Sequence, residues 1–156
     1  MKTFLHPLQN LAEMEAIYTK AKSNRGILEI SGCMESQKAH LIYGLSGLFP
    51  SHLILSEDEK SAKELYEDYR FYDKNVYYYP AKDMLFFQAD IHGNLLIRQR
   101  MRVIKALLEQ KESITVITSV DGCLDYLQPL DKIEKQLIHF RNDSTLEIGR
   151  ASCRER

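Results

Sequence analysis

The chain predicts a three-layer α/β domain, a parallel sheet flanked by helices on both faces, and three observations carry that expectation. Short apolar runs of strand type, at 26–30, 52–56, 75–79 and 113–119, alternate with longer stretches of helical periodicity. Each connection is long enough to hold a helix, as crossovers between parallel strands require. Turn-forming residues punctuate the alternation, with Ser23-Asn24-Arg25-Gly26, Pro50 and Pro80 at its joints.

The elements follow in order. Leu5, Leu8, Leu11, Met14, Ile17 and Tyr18 recur at helical spacing, so an amphipathic helix is expected to run to Lys22. The strand at 26–30 leads into a loop, and a helix over 37–48 follows, weakened in its second half by Gly44 and Gly47. After the strand at 52–56, Ser56 resembles an N-cap for an acid-rich helix over 57–73, whose Glu57, Asp58 and Glu59 suit the positive helix end. Pro80 stops the third strand, and 81–93 reads as a loop carrying Phe86 and Phe87. Asn94 is the expected cap of a helix over 95–110. Ile114 to Thr118 is the clearest strand, followed by a short helix over 120–127. Residues 128–131 mark a boundary, beyond which 132–140 alternates like a strand of a new unit.

Bulk properties narrow the class. A chain of 156 residues with 44% hydrophobic content accommodates one ordinary domain and the start of a second. With 21 basic and 22 acidic residues it has no bulk attraction for nucleic acid or anionic lipid. Cys33, Cys123 and Cys153 lack both metal-ligand spacing and the even count of a disulfide framework, so a reducing, cytoplasmic setting is expected. The N-terminal segment carries acids and does not read as a signal peptide. The last residues, 147–156, differ in composition from the rest and match one reading frame of a common sequencing adapter. They are read as non-native, with the natural sequence expected to continue after Leu146.

The most informative stretch is Ser31-Gly-Cys-Met-Glu-Ser-Gln-Lys-Ala-His40. A working phosphate-binding loop reads G-x-x-x-x-G-K-[ST]: its glycines let amides close on phosphate, its lysine neutralises the outer phosphates, and its hydroxyl holds Mg²⁺. Gly32 and Lys38 keep the spacing, but Gln37 replaces the second glycine and Ala39 replaces the hydroxyl. The shape of a nucleotide site is expected to persist without its chemistry, leaving no catalytic residue and no functional cofactor or metal ligand. A carboxylate at the end of the strand preceding Ser119 is also missing, since Asp121 comes too late. The runner-up is an active P-loop ATPase or kinase with an atypical loop. Elsewhere, Arg98, Arg100, Arg102 and Lys105 could line a DNA backbone, with Arg98 and Arg102 on one helical face and Lys105 near Arg102, although a charged surface face is more often simply solvated. Tyr77 and Tyr79 should lie on one strand face and Tyr78 on the other, more cheaply explained by core packing than by base stacking. The five histidines are dispersed and suggest neither metal site nor catalytic dyad.

Taken in order, these pieces resemble one family. The glycine-led defunct loop, the strand ending at Ser56, the acidic helix with Ala62 and Leu65, Tyr79-Pro80, Asp83-Met-Leu-Phe-Phe87, Arg98-Gln-Arg-Met-Arg102, and Ile117-Thr-Ser-Val120 with Leu124 and Pro129 come first to last. They resemble the N-terminal region of bacterial transcription-repair coupling factors (Mfd), itself similar to the first domain of the excision-repair protein UvrB. The resemblance implies a P-loop NTPase-like (RecA/UvrB-like) domain over 1–129 with a degenerate nucleotide site. It also implies that 130–146 begin an inserted domain recognised by UvrA. The full-length family member is implied to be an ATP-dependent DNA translocase. It releases stalled RNA polymerase, binds double-stranded DNA, uses ATP and Mg²⁺ in a downstream motor, and recruits UvrA for nucleotide excision repair. UvrB keeps an intact phosphate loop and inserts a DNA-clamping hairpin before the arginine helix, whereas this chain has Gln37, Ala39 and only the short 81–93 loop.

Overall fold

In the computed structural model, which describes residues 5–23, 26–82, 90–109 and 113–136, helices and strands alternate through most of the chain. The elements are α1 (His6–Gln9), α2 (Ala12–Ser23), α3 (Glu35–Ser46), β1 (Ser51–Ser56), α4 (Glu59–Tyr69), β2 (Val76–Tyr79), α5 (Asp90–Leu108), β3 (Ile114–Ser119), α6 (Val120–Leu124) and α7 (Leu130–Gln136). The three strands form one parallel sheet in the order β1-β3-β2. Leu53 pairs with Val116 and Ile54 with Ile117 on one side of β3, and Tyr78 pairs with Ile117 on the other. Every residue of β3 is buried, as an unbroken Ile-Thr-Val-Ile-Thr run predicts for a strand covered on both faces.

Alternation along the strands divides the core into two layers. On one face Ile117, Val76 and Ile54 pack against Ala62, Leu65, Tyr66 and Tyr69 of α4 and Ile42 and Tyr43 of α3. On the other, Ile114, Val116, Tyr77 and Tyr79 pack against Val103, Ala106 and Leu107 of α5. Tyr77 and Tyr79 therefore separate from Tyr78 as expected, and all three serve the core. The α5 layer stops short of β1. Leu53 and Leu55 are 62% and 55% exposed, on the face that α5 covers further along the sheet.

The α/β class and helix-covered parallel sheet are thus observed, with three strands among the described residues where about four were expected. Residues 26–30 are not a strand. They carry no strand pairing, and Ile27 is 96% exposed; five residues gain little as strand without a neighbour to satisfy their backbone groups. The 130–136 segment is helix, not strand. Lys132 and Ile133 donate backbone N–H to the Pro129 carbonyl, Asp131 lies in the first turn and Lys135 in the last, and α7 lies against α5. Residues 137–156, including the rest of the proposed inserted-domain start and the adapter-like tail, lie outside the described residues. So do Asp83 to Phe87.

Boundaries shifted where a better cap existed. Asp58, not Ser56, caps α4: its Oδ1 accepts a 2.7 Å hydrogen bond from the Ser61 N–H. Asn94 is not a cap, because α5 begins at Asp90. The N-terminal helix is broken into α1 and α2 by a turn at Asn10-Leu11. Gly44 does not end α3. It lets α1 and α2 approach: a Cβ there would lie 2.9 Å from Leu8 Cδ1, and Tyr18 donates to the Gly44 carbonyl at 2.8 Å. Among the described residues, no helix is long and apolar enough to cross a membrane.

His52 faces the α4 side of the sheet, and burial pushes its pKa below the ordinary value of 6.5, with Asp73 partly opposing. The unfolded chain therefore takes up this proton more readily than the folded one. His52 favours folding above pH 6.5, and this contribution is lost as pH falls through that value. Urea midpoints of wild type and His52→Phe, compared at pH 7.5 and pH 5.5, should diverge with wild type losing more on acidification. Parallel shifts would show that His52 does not titrate differently on folding.

Candidate functional site

The glycine-led loop turns through a backbone conformation that favours glycine. Gly32 has φ of 83°, the positive-φ region that glycine occupies without steric cost. Its surroundings are otherwise unsuited to an anion. Gln37 turns back so that its Oε1 accepts a 3.4 Å hydrogen bond from the Met34 N–H, using a donor at the start of α3. Lys38 bonds Glu35 Oε1 at 2.5 Å, and its pKa is raised first by that bond and further by the charges of Glu35 and Glu57. Ala39 is 1% exposed and belongs to the core, so the position of a Mg²⁺ hydroxyl is turned inward. The groove beside the loop, about 810 Å³, is lined by Glu35, Glu57, Glu64 and Asp68 with Lys38 as the basic residue. A triphosphate placed there meets four carboxylates and a lysine already paired. No described strand precedes the loop to aim it.

A second polar centre lies at the carboxyl ends of β2 and β3, the position where open α/β sheets commonly bind ligands. Glu59, from the first turn of α4, is its hub. Its Oε2 accepts from Ser119 Oγ at 2.6 Å, its Oε1 accepts from the Tyr78 hydroxyl, and the Ala81 N–H donates to both oxygens at 3.2 and 3.3 Å. Burial and then the bond to Glu59 push the Tyr78 hydroxyl well above the usual tyrosine range. Ser119 also accepts from the Gly122 N–H at 3.1 Å, capping α6. The absent strand-end acid is thus matched by a carboxylate from another element, but one whose oxygens are occupied by three structural donors.

Beside it, Arg100 donates to Asp125 Oδ2 at 2.7 Å, to the Pro80 carbonyl at 2.9 Å and to the Tyr79 hydroxyl at 2.6 Å. Its guanidinium lies 4.2 Å from the Tyr79 ring centroid. Asp125 also accepts from the Lys82 N–H at 3.2 Å. This centre fastens α4, α5, α6 and the strand ends together, and its hydrogen-bonded members Glu59, Ser119, Arg100 and Asp125 are all engaged with protein partners. Sequence reading gave Glu59 only a helix-start role and assigned no site role to Ser119 or Asp125. Arg100, expected among the DNA-backbone candidates, is instead buried and bonded within the protein, and its spacing carried that signal: it precedes the buried Val103 and Ile104 by three and four residues and so falls on the apolar stripe of α5.

Arg98 and Arg102 are exposed on α5, together on one face as their spacing requires, with the half-exposed apolar Ile97 and Met101 beside them. Lys105 is exposed and pairs with Glu109 at 3.5 Å, which reduces its availability to a phosphate backbone. Among the described residues there is no group of three or more His, Cys, Asp or Glu placed to hold a metal.

Fold and site together define a small helix-covered parallel α/β domain with a glycine-led turn beside an acidic groove. No protein-family model, curated protein or solved structure matches the chain.

Proposed function

We propose that this chain is a non-catalytic α/β module of a transcription-repair coupling factor, a platform retaining the outline of a UvrB-like nucleotide domain but not its activity. One observation carries the non-catalytic part: Lys38 is tied to Glu35 and surrounded by carboxylates where a P-loop lysine must meet phosphate. The assignment to the coupling factors rests on the ordered set of motifs from Ser31 to Pro129. On this reading the domain takes no cofactor of its own, and ATP and Mg²⁺ serve a motor elsewhere in the full-length translocase. UvrA, RNA polymerase and double-stranded DNA are partners of that larger protein, which works in the cytoplasm. Arg98 and Arg102, exposed on one face of α5, are the residues proposed to meet a nucleic-acid backbone.

Calorimetric titration with ATP and Mg²⁺ is expected to show no saturable binding, and Lys38→Ala to change nothing. Saturable binding abolished by Lys38→Ala would establish the rival reading, an active P-loop ATPase or kinase. Restoring the motif with Gln37→Gly and Ala39→Thr should likewise produce no hydrolysis, because no free strand-end carboxylate stands ready to hold the metal.

A further inference from the structure

We infer that the α4 side of the sheet encloses a hydration site, an ordered internal water bridging Thr115, Tyr69 and His52 near the amino ends of the strands. Thr115 and His52 are register partners on β3 and β1, so their side chains stand together on the face that α4 covers. Tyr69, the last residue of α4, packs onto the same face. Thr115 and Tyr69 are both fully buried. Among the described residues, Thr115 Oγ1, the Tyr69 hydroxyl and both ring nitrogens of His52 are buried without a hydrogen-bond partner.

Orphaned polar atoms are costly singly and rarely cluster, because burial without a partner forfeits their bonds to solvent. None of these atoms reaches hydrogen-bond geometry with another, although the Thr115 hydroxyl is near enough to act on that of Tyr69. Burial raises the Tyr69 pKa, and the neighbouring hydroxyls of Thr115 and Ser46 pull it part of the way back, yet none completes a hydrogen bond to it. Polar groups gathered on one buried face without direct hydrogen-bond geometry are the arrangement that an intervening water satisfies, and such a water needs two to four partners. His52 contributes a ring that both donates and accepts. Around it, Phe49 lies edge-on at 6.2 Å and Asp73 is the charged group acting on it. The Glu59 and Arg100 centre at the opposite end of the sheet satisfies its members directly, which makes the unmet set here the exception within one core.

Two near-isosteric deletions test the site by the sign of their effect. If a water links the groups, Thr115→Val and Tyr69→Phe each strand the remaining partners, and each lowers the melting temperature by about 2–5 °C. The double variant then loses less than the sum, because the bridge is already broken by the first change. If the atoms are dry orphans, removing either hydroxyl raises the melting temperature or leaves it unchanged, and the inference is overturned. A high-resolution crystal structure of the wild-type protein gives an independent readout. A solvent peak within hydrogen-bond distance of at least two of the four atoms supports the site, and empty space between them refutes it.

Discussion

Replacing Arg100 with methionine is expected to cost about 3–5 kcal/mol of folding stability, the usual penalty for removing one partner of a buried ion pair. Its side chain is 9% exposed and that of Asp125 is 25% exposed, so solvent recovers little of the loss. Methionine fills much of the volume but leaves Asp125, the Tyr79 hydroxyl and the Pro80 carbonyl without the donor they share. A domain of this size commonly has only 5–15 kcal/mol in total, so the variant should sit near its unfolding transition. Urea denaturation gives the measurement, and a midpoint drop of roughly 1–3 M is expected from typical slopes. Arg98→Met, on the exposed face of the same helix, should change stability by less than about 0.5 kcal/mol. Equal effects at the two arginines would mean that the Arg100 centre is not what joins these elements.

Gly122→Ala is the second large effect, at about 1–3 kcal/mol. A Cβ at this position collides with Thr118 Oγ1 and comes within 3.2 Å of the Tyr79 carbonyl oxygen. Neither neighbour can retreat cheaply, because Thr118 Oγ1 is buried and donates to that same carbonyl at 2.7 Å. The test is a double-mutant cycle. Thr118→Ala removes the colliding oxygen at the expense of one hydrogen bond, so Gly122→Ala should cost less in its presence than in wild type. Strict additivity would show that strain arises elsewhere.

Local pattern revealed the elements whose burial is continuous. The run Ile114 to Ser119 declares a covered strand by composition alone, and Val76-Tyr-Tyr-Tyr79 does so with help from Pro80. The same signal misled at 26–30, where apolar residues were present but no partner strand received them. It misled again at 132–136, where a short alternation was overridden by the helix start after Pro129. The departures of Gln37 and Ala39 from the P-loop pattern were legible because each position of that pattern has one chemical duty. Its acidic setting was not, since Glu57, Glu64 and Asp68 reach the groove from a separate helix and its approach. The Glu59–Ser119 contact joins residues sixty apart in sequence, which no short-range spacing encodes.

The bare leucines of β1 carry a practical consequence. Along its outer rim this strand offers backbone amides and carbonyls with no charged side chain from Ser51 to Ser56, and proteins ordinarily guard such a rim with lysine or proline. In concentrated solution the first contacts between molecules should form there, strand against strand, along six residues that lie outside the Glu59 and Arg100 centre.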